Sequence, residues 1–291
     1  METRKLGPFD VSPIGLGAMP FSMGANERPS REQAIATVHA ALDAGVTYID
    51  TADIYAPSWD TIGHNEEIIA AALKSYGDTS DIVVGTKGGI TRSEGEVWGR
   101  DGSASYIRGA VEASLRALDT DVIDLYQWHR PDRWLVYGEV LETFKALQQE
   151  GKVRAIGISN ANVEEIEVAL QVLGEDGLAS VQNEFSPRFR LSRDELELCG
   201  QHQVAFLPWS PLGGTGAKSK DVGQAYPAFH KISENRQVSQ QRVVLAWELA
   251  LGDHVIPIPG ASRPASITDS AQAVSLALTP QELELIETQF C

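Results

Sequence analysis

The sequence has few cysteines, few basic residues and no long apolar run, and each shortage excludes a class of protein. Two cysteines, Cys199 and Cys291, are too few for a disulfide framework and lack metal-ligand spacing, so we expect no metal site. Basic residues number 24 against 40 acidic ones, and a net charge of −16 would repel nucleic acid. No stretch approaches the roughly 18 apolar residues of a membrane span, and no apolar signal segment follows the N-terminus. We therefore expect a soluble, cytoplasmic protein.

Short apolar runs alternate with longer amphipathic segments along the whole chain. With 43% hydrophobic residues, the chain can bury one sizeable core. Most of the apolar runs lack polar alternation, which is typical of parallel strands buried on both faces. The runs cover residues 14–18, 46–50, 82–86, 122–127, 153–158, 179–182, 204–208 and 255–258. Helical patterns follow them at residues 31–44, 65–76, 104–118, 137–150, 163–173, 193–202, 222–251 (interrupted) and 265–273.

Eight such units are compatible with an open doubly wound sheet or with a closed barrel. The first run, Ile14-Gly15-Leu16-Gly17-Ala18, lacks the third glycine of the dinucleotide-binding fingerprint, and no helix follows it at once. We therefore predict a single α/β domain over residues 1–291, a (β/α)8 TIM barrel. Residues 6–11 are predicted to form a hairpin at the N-terminal end of the barrel, and residues 280–290 an extra C-terminal helix.

Polar residues follow the strand-like runs, at the face where parallel barrels carry their active sites. Asp50 and Tyr55 follow the second run, Lys87 the third and His129 the fourth. Asp50 and Lys87 could simply form a structural ion pair, and Tyr55 could be an exposed loop aromatic. Together they favour chemistry, because an acid keeps a buried lysine charged, and that ammonium lowers the pKa of a tyrosine from about 10. Such a tyrosine can deliver a proton.

The motifs around these positions resemble those of the aldo-keto reductases, in order and over essentially the whole chain. The motifs are Asp50-Thr51-Ala52 with Tyr55, Lys87, His129, Gly157-Ile158-Ser159-Asn160, Val181-Gln182-Asn183-Glu184, Pro208-Trp209-Ser210-Pro211-Leu212 and Ile258-Pro259-Gly260-Ala261-Ser262-Arg263. The resemblance implies a barrel enzyme that binds a nicotinamide cofactor without the glycine fingerprint. It also implies a catalytic tetrad of Asp50, Tyr55, Lys87 and His129.

In that family the tyrosine acts as the general acid in reduction and as the base in oxidation, and the resemblance implies this role for Tyr55. Lys87, held by Asp50, would lower the pKa of Tyr55, and His129 would orient the carbonyl and stabilise developing negative charge. A steroid double-bond reductase of the family carries an acid where His129 stands. Histidine therefore favours ordinary carbonyl chemistry.

The resemblance also implies a cofactor groove, with NADP as the expected cofactor and NAD as the other possibility. Ser159, Asn160 and Gln182 would bind the carboxamide, and Trp209 would lie against the nicotinamide ring. Ser210, Leu212, Gly213, Lys218 and Gly260 would line the rest of the groove. Ser262 and Arg263 would hold a 2′-phosphate. Ala265, Ser266 and Ser270 depart from the family pattern, which weakens the expected adenine and phosphate contacts.

Substrate contacts are expected from Met19, Ile54, Trp98 and Trp134. The leading function is NADP-linked reduction of an aldehyde or ketone. An NAD(P)-linked dehydrogenase that oxidises a sugar, a pyridoxine-like alcohol or a secondary alcohol would use the same four catalytic residues. A cofactor-binding regulatory subunit is the alternative from another class of protein. The sequence does not set the natural substrate or the oligomeric state.

Overall fold

A curled sheet of seven parallel strands forms the centre of the fold, with helices packed outside it. The computed structural model describes residues 2–24, 28–174, 176–214 and 222–290. The strands are β1 (Arg4–Leu6), β2 (Phe9–Val11), β3 (Leu16–Gly17), β4 (Tyr48–Asp50), β5 (Val83–Gly88), β6 (Ile90–Ser93), β7 (Val97–Arg100), β8 (Ile123–Trp128), β9 (Val153–Ser159), β10 (Leu178–Gln182) and β11 (Ala205–Phe206). The seven parallel strands lie in the order β11-β10-β9-β8-β5-β4-β3.

The helices follow the strands in alternation, as the sequence predicts. They are α1 (Arg31–Asp43), α2 (His64–Tyr76), α3 (Ala104–Ala117), α4 (Tyr137–Gln149), α5 (Val163–Leu173), α6 (Arg193–Gln201), α7 (Val222–Ala225), α8 (Pro227–Arg236), α9 (Gln240–Leu249), α10 (Pro264–Ala271) and α11 (Pro280–Thr288). Side-chain caps fix several of their starts: Ser30 accepts from the amide of Gln33, and Thr279 and Glu282 form a capping box at α11.

Residues 255–260 close the sheet into a barrel without forming a regular strand. This segment makes single parallel bridges, to Phe206 on one side and to Gly17 on the other. Pro257 and Pro259 have no backbone N–H, so the segment cannot donate at those two positions and a continuous ladder cannot form. The eighth strand predicted over residues 255–258 is therefore an extended closing segment with only isolated bridges. The predicted (β/α)8 barrel is confirmed.

The N-terminal hairpin β1–β2 closes the lower end of the barrel. Leu6 and Val11 are fully buried and pack with the small side chains of the barrel interior. The turn needs glycine, because Gly7 has a φ of +55° and a Cβ there would lie 2.7 Å from the Cβ of Ala179. Arg4 fixes the hairpin by donating to the carbonyls of Leu249 and Gly252, each at 2.9 Å. The predicted hairpin therefore serves as the floor of the barrel.

A second hairpin, β6–β7, lies between β5 and α3, where the sequence predicts neither a strand nor a helix. Its strands pair antiparallel from Ile90 with Arg100 to Ser93 with Val97. The turn contains Gly95 and Glu96, both with positive φ. Polar residues lie on both faces of this hairpin, so the segment lacks the apolar periodicity that marks a half-buried strand.

One acid, Glu248 of α9, is buried without a partner. It has no exposed surface, and neither carboxylate oxygen has a hydrogen-bond partner in the described part of the chain. Burial raises the pKa of Glu248 well above its ordinary value. The folded state therefore holds this proton more tightly than the unfolded state. The resulting stability is present below the unfolded pKa of about 4.3 and is lost as pH rises towards the folded pKa.

Replacing Glu248 by leucine should therefore stabilise the protein most at neutral and alkaline pH. We expect Glu248→Leu to raise the free energy of unfolding at about pH 8 by about 1–3 kcal/mol, the cost of an unsatisfied buried polar group. Urea unfolding at about pH 5 and about pH 8 measures the effect, and the gain should be smaller at the lower pH. Glu142→Leu on the exposed face of α4 is the control. An equal gain in both variants would contradict the assignment.

Candidate active site

A cavity of about 630 Å³ opens at the carboxyl ends of the barrel strands. It extends from the loop after the closing segment, past the ends of β4, β8, β9 and β10, to the β6–β7 hairpin. Among its lining residues are Gly17, Met19, Pro20, Met23, Asp50, Ile54, Tyr55, Ile90, Trp98, His129, Arg130, Ser159, Asn160, Gln182, Trp209, Ser210, Leu212, Gly214, Gly260, Ser262, Arg263 and Ser266. Most of the residues predicted from the sequence therefore meet in one cavity.

Lys87 and Asp50 form an ion pair within the barrel, beneath this cavity. The Nζ of Lys87 lies 2.5 Å from Oδ1 of Asp50 and donates to the carbonyl of Thr51 at 2.7 Å. Lys87 has no exposed surface and Asp50 is only 3% exposed. Burial opposes the charge on Lys87, but Asp50 and Tyr55 outweigh it, and the pKa of Lys87 is raised. Lys87 therefore stays cationic.

Three further side chains donate to the other oxygen of Asp50, and two of them were not identified as site residues from the sequence. Gln182 donates at 2.8 Å, Gln127 at 3.1 Å and the Tyr48 hydroxyl at 3.1 Å. Tyr48 precedes Asp50 by two residues on the same face of β4, and Gln127 is a polar residue inside an apolar run. Two sequence signals could have revealed them. Tyr48 stands two residues before an acid on the same strand face, and Gln127 is a polar residue at the end of a buried strand.

The loop after β4 presents Tyr55 to the cavity, where it lies half-buried. Its amide donates to the carbonyl of Ala52 at 3.2 Å, and the amide of Asn65 at the start of α2 donates to the Tyr55 carbonyl at 3.2 Å. The Nζ of Lys87 lies 5.1 Å from the centre of the Tyr55 ring. Burial raises the pKa of Tyr55 above its ordinary value, while the Lys87 charge opposes that rise. Lys87 thus lowers the pKa of Tyr55, as the sequence predicts, but desolvation raises that pKa by more.

His129 follows β8 and packs edge-on against Tyr55, with ring centroids 5.6 Å apart. Burial, together with the positive charges of Lys87 and Arg130, holds the pKa of His129 well below 6.5. The imidazole is therefore neutral near pH 7. Its Nδ1 is buried and has no hydrogen-bond partner in the described part of the chain. A neutral imidazole can donate one hydrogen bond to a ligand in the cavity.

Ser159, Asn160 and Gln182 lie together at the ends of β9 and β10. The hydroxyl of Ser159 donates to the carbonyl of Gln182 at 2.7 Å. The amide nitrogen of Asn160 donates to the carbonyl of His129 at 3.0 Å and to the hydroxyl of Ser159 at 2.9 Å. The side-chain nitrogen of Gln182 donates to Asp50, so its side-chain oxygen, Oε1, is the atom that can accept a hydrogen bond from a ligand. The three residues thus form a polar wall beside the tetrad.

The segment after β11 continues this wall with Trp209, Ser210 and Leu212. The Trp209 Nε1 is buried and has no hydrogen-bond partner in the described part of the chain. Ser210 and Gly213 both have positive φ, at 52° and 73°. Gly213 is next to the cavity without lining it, and Lys218 lies outside the described residues.

The far end of the cavity is formed where the closing segment meets β3. A Cβ at Gly17 would lie 2.7 Å from the carbonyl oxygen of Ile258, and one at Gly260 would lie 3.0 Å from Cγ of Pro20. Arg263 is exposed at the start of α10, and its Nε donates to Ser266 at 2.9 Å. Among the described residues, Arg263 has no ion pair. Glycine is required where the two segments cross. The guanidinium of Arg263, without an ion pair among the described residues, suits a ligand with an anionic end.

The opposite end of the cavity contains three of the four predicted substrate residues. Met19 and Ile54 line its walls, and Trp98 of β7 lies at its edge, stacked under Arg92 at 4.8 Å from the guanidinium carbon. The structure does not bring Trp134 to the cavity. Its side chain is 97% exposed on the loop before α4 and lies beside Arg100, Asp132 and Arg133 instead.

No group of three or more His, Cys, Asp or Glu residues with metal-binding geometry occurs within residues 2–24, 28–174, 176–214 and 222–290. Cys199 is buried and unpaired, and Cys291 lies outside the described residues. The helices of the described chain are all too short or too polar to cross a membrane.

Comparison with known proteins identifies the family of this chain. The model of the "Aldo/keto reductase family" matches residues 13–289. The chain therefore belongs to the aldo/keto reductase family and is an oxidoreductase.

The chain is similar to several curated relatives over nearly its full length. A protein named 6-dehydroglucose reductase from Novosphingobium aromaticivorans is 34% identical over 292 residues, covering 96% of this chain and 92% of the relative. "Probable aldo-keto reductase 1" of Glycine max is 29% identical, covering 98% of this chain and 88% of the relative.

Solved structures have the same fold. A glycerol dehydrogenase from Gluconobacter oxydans superposes with a TM-score of 0.85 at 26% identity, covering 99% of this chain and 94% of that one. An aldo-keto reductase from Klebsiella pneumoniae, solved in complex with NADPH, superposes with a TM-score of 0.81 at 26% identity, with the same coverage of each chain.

The lowered pKa of His129 leads to a pH prediction. Because this imidazole is neutral near pH 7, kcat/KM for carbonyl reduction should show no limb near pH 6.5. Initial rates from about pH 5.5 to about pH 8.5 test this range around the ordinary histidine pKa. A limb near pH 6.5 that disappears in His129→Asn would show that His129 titrates there and would contradict the prediction.

Proposed function

We propose that this protein reduces an aldehyde or ketone to an alcohol with NADPH, using Tyr55 as the proton donor. The observation that carries the proposal is the assembly of Tyr55 and His129 above the buried Lys87–Asp50 ion pair at the wall of one cavity. A structural ion pair alone would not require a tyrosine and a neutral histidine to face the same cavity.

The cavity residues fit a nicotinamide cofactor. Gly17 and Gly260 let β3 and the closing segment cross closely at the cavity wall, and the Trp209 Nε1 is a buried donor without a partner in the described chain. Ser159, Asn160 and Gln182 would hold the carboxamide. Ser262 and Arg263 would hold the 2′-phosphate of NADP. The Klebsiella relative, which was crystallised with NADPH, supports NADP as the cofactor here.

The proposed reaction divides between the cofactor and the protein. NADPH, when bound, supplies the hydride that adds to the carbonyl carbon. Tyr55 donates its phenolic proton to the carbonyl oxygen, so that the C=O bond becomes an alcohol. The Lys87 cation stabilises the tyrosinate that results, and Tyr55 regains a proton from solvent. His129, held neutral, donates a hydrogen bond to the carbonyl oxygen as negative charge develops there.

Removal of the Tyr55 hydroxyl should abolish reduction without preventing cofactor binding. We expect Tyr55→Phe to lower kcat by about 10²–10⁴-fold, the usual contribution of a positioned general acid. NADPH oxidation with a panel of aldehydes and ketones measures the rate, and fluorescence titration measures the dissociation constant for NADPH, which should be unchanged.

Tyr137→Phe is the matched control, since Tyr137 is a partly buried tyrosine of α4 that packs against Trp128 outside the cavity. It should keep wild-type activity. Turnover by Tyr55→Phe equal to that of wild type would refute the role of Tyr55. Binding of NADPH by wild type without turnover of any carbonyl would refute the reductase assignment and favour a regulatory or oxidative role.

The 2′-phosphate assignment has its own test. Arg263→Ala should weaken NADPH binding by about 1.5–3 kcal/mol, the value of a charge-assisted hydrogen bond, and should leave NADH binding nearly unchanged. Titration of each cofactor into the same variant provides the comparison. An equal loss of affinity for NADPH and NADH would show that Arg263 does not bind the 2′-phosphate.

A further inference from the structure

We propose that Arg130 binds a carboxylate on the substrate, so that the preferred substrates are aldehydes or ketones that carry a carboxylate beyond an apolar body. This inference rests on the proposed reductase function and deepens it by naming the substrate class. Arg130 directly follows His129 at the end of β8 and lines the same cavity as Tyr55.

The charge of Arg130 acts on the reacting groups. It contributes to the low pKa of His129, and its own pKa responds to Tyr55. Burial and the neighbouring charge of Arg100 lower the pKa of Arg130, but a guanidinium remains protonated at physiological pH. A fixed positive charge therefore lies beside the proton donor and the histidine.

Arg130 has no ion-pair or hydrogen-bond partner for its guanidinium in the described part of the chain, although it is half-buried. Three other arginines do have partners: Arg92 pairs with Glu96, Arg133 pairs with Glu165, and Arg100 donates to the carbonyl of Pro131 at 3.0 Å. A partly desolvated cation without partners is costly, and a bound anion would offset that cost.

Two charged residues, Arg100 and Glu184, interact electrostatically with Arg130. Arg100 adds positive charge, and Glu184 opposes it without forming an ion pair. This end of the cavity therefore presents an unpaired arginine with a second arginine nearby, although the chain as a whole carries a net charge of −16. An anionic ligand would be attracted here and repelled by most of the remaining surface.

The same cavity also has apolar walls. Met23, Ile54, Ile90 and Trp98 are among its lining residues. An aromatic or aliphatic body can pack against them while a carboxylate meets the planar fork of Arg130 in a bidentate contact. Since Tyr55 and His129 must meet the carbonyl, the substrate carries its carboxylate on the apolar body, separate from the carbonyl.

A matched substrate pair tests the inference. We expect wild type to reduce para-carboxybenzaldehyde with a higher kcat/KM than its neutral methyl ester. Arg130→Met should lower kcat/KM for the acid by about 10- to 100-fold more than kcat/KM for the ester, with the difference mainly in KM. Arg130→Lys keeps the charge without the planar fork, so its kcat/KM for the acid should lie between those of wild type and Arg130→Met.

Arg133→Met is the control, because Arg133 lies three residues away, pairs with Glu165 and does not line the cavity. It should behave as wild type with both compounds. An equal effect of Arg130→Met on acid and ester, or a wild type that reduces the ester as well as the acid, would overturn the inference while leaving the reductase function intact.

A binding measurement separates the two proposals. Benzoate is titrated calorimetrically into each protein in the presence of NADP⁺. Weaker binding by Arg130→Met than by Arg133→Met supports the anion site even if wild type reduces no carbonyl, in which case only the proposed function fails. Equal benzoate affinity in both variants overturns the anion site.

Discussion

The buried ion pair of Lys87 and Asp50 is the interaction on which the rest of the site depends. Two charges within a barrel lose their hydration, and their mutual attraction offsets that loss only when their other hydrogen-bonding positions are also satisfied. Here Thr51 accepts from Lys87, and Gln182, Gln127 and Tyr48 donate to Asp50. Loss of one charge would leave the other buried and unpaired, so Lys87 and Asp50 form a single electrostatic unit.

The parallel register of the strands places Asp50, Lys87 and Gln127 at the same height in the barrel. Asp50 of β4 is paired with Gly85 of β5, and Lys87 lies two residues further along β5, opposite Gln127 of β8. Every strand contributes its last residues to the same mouth, so neighbouring strands can build a polar layer above an apolar interior. Tyr48 joins the two layers, because its ring packs inside the barrel while its hydroxyl reaches Asp50.

The sequence predicts the alternating strands and helices and the four central side chains, because buried parallel strands and strand-end polar residues leave strong local signals. It misses the β6–β7 hairpin, whose polar faces carry no periodicity, and it mistakes the proline-interrupted closing segment for a regular strand. Trp134 shows a further limit: an aromatic residue in a loop near the mouth can point into the cavity or into solvent, and only the loop conformation decides. The absence of a partner for Arg130 among the described residues likewise depends on contacts between distant segments.

The central claim, that the Lys87 cation favours the ionised form of Tyr55, is tested most directly by NMR of protein carrying tyrosine labelled with ¹³C at Cζ. The Tyr55 resonance is assigned by its absence in Tyr55→Phe and is followed from about pH 7 to about pH 12, because burial raises the pKa of Tyr55 above the ordinary tyrosine value of about 10. The account predicts that Tyr55 ionises at a lower pH in wild type than in Lys87→Met. Coincident titrations, or a lower pKa in the variant, would contradict it.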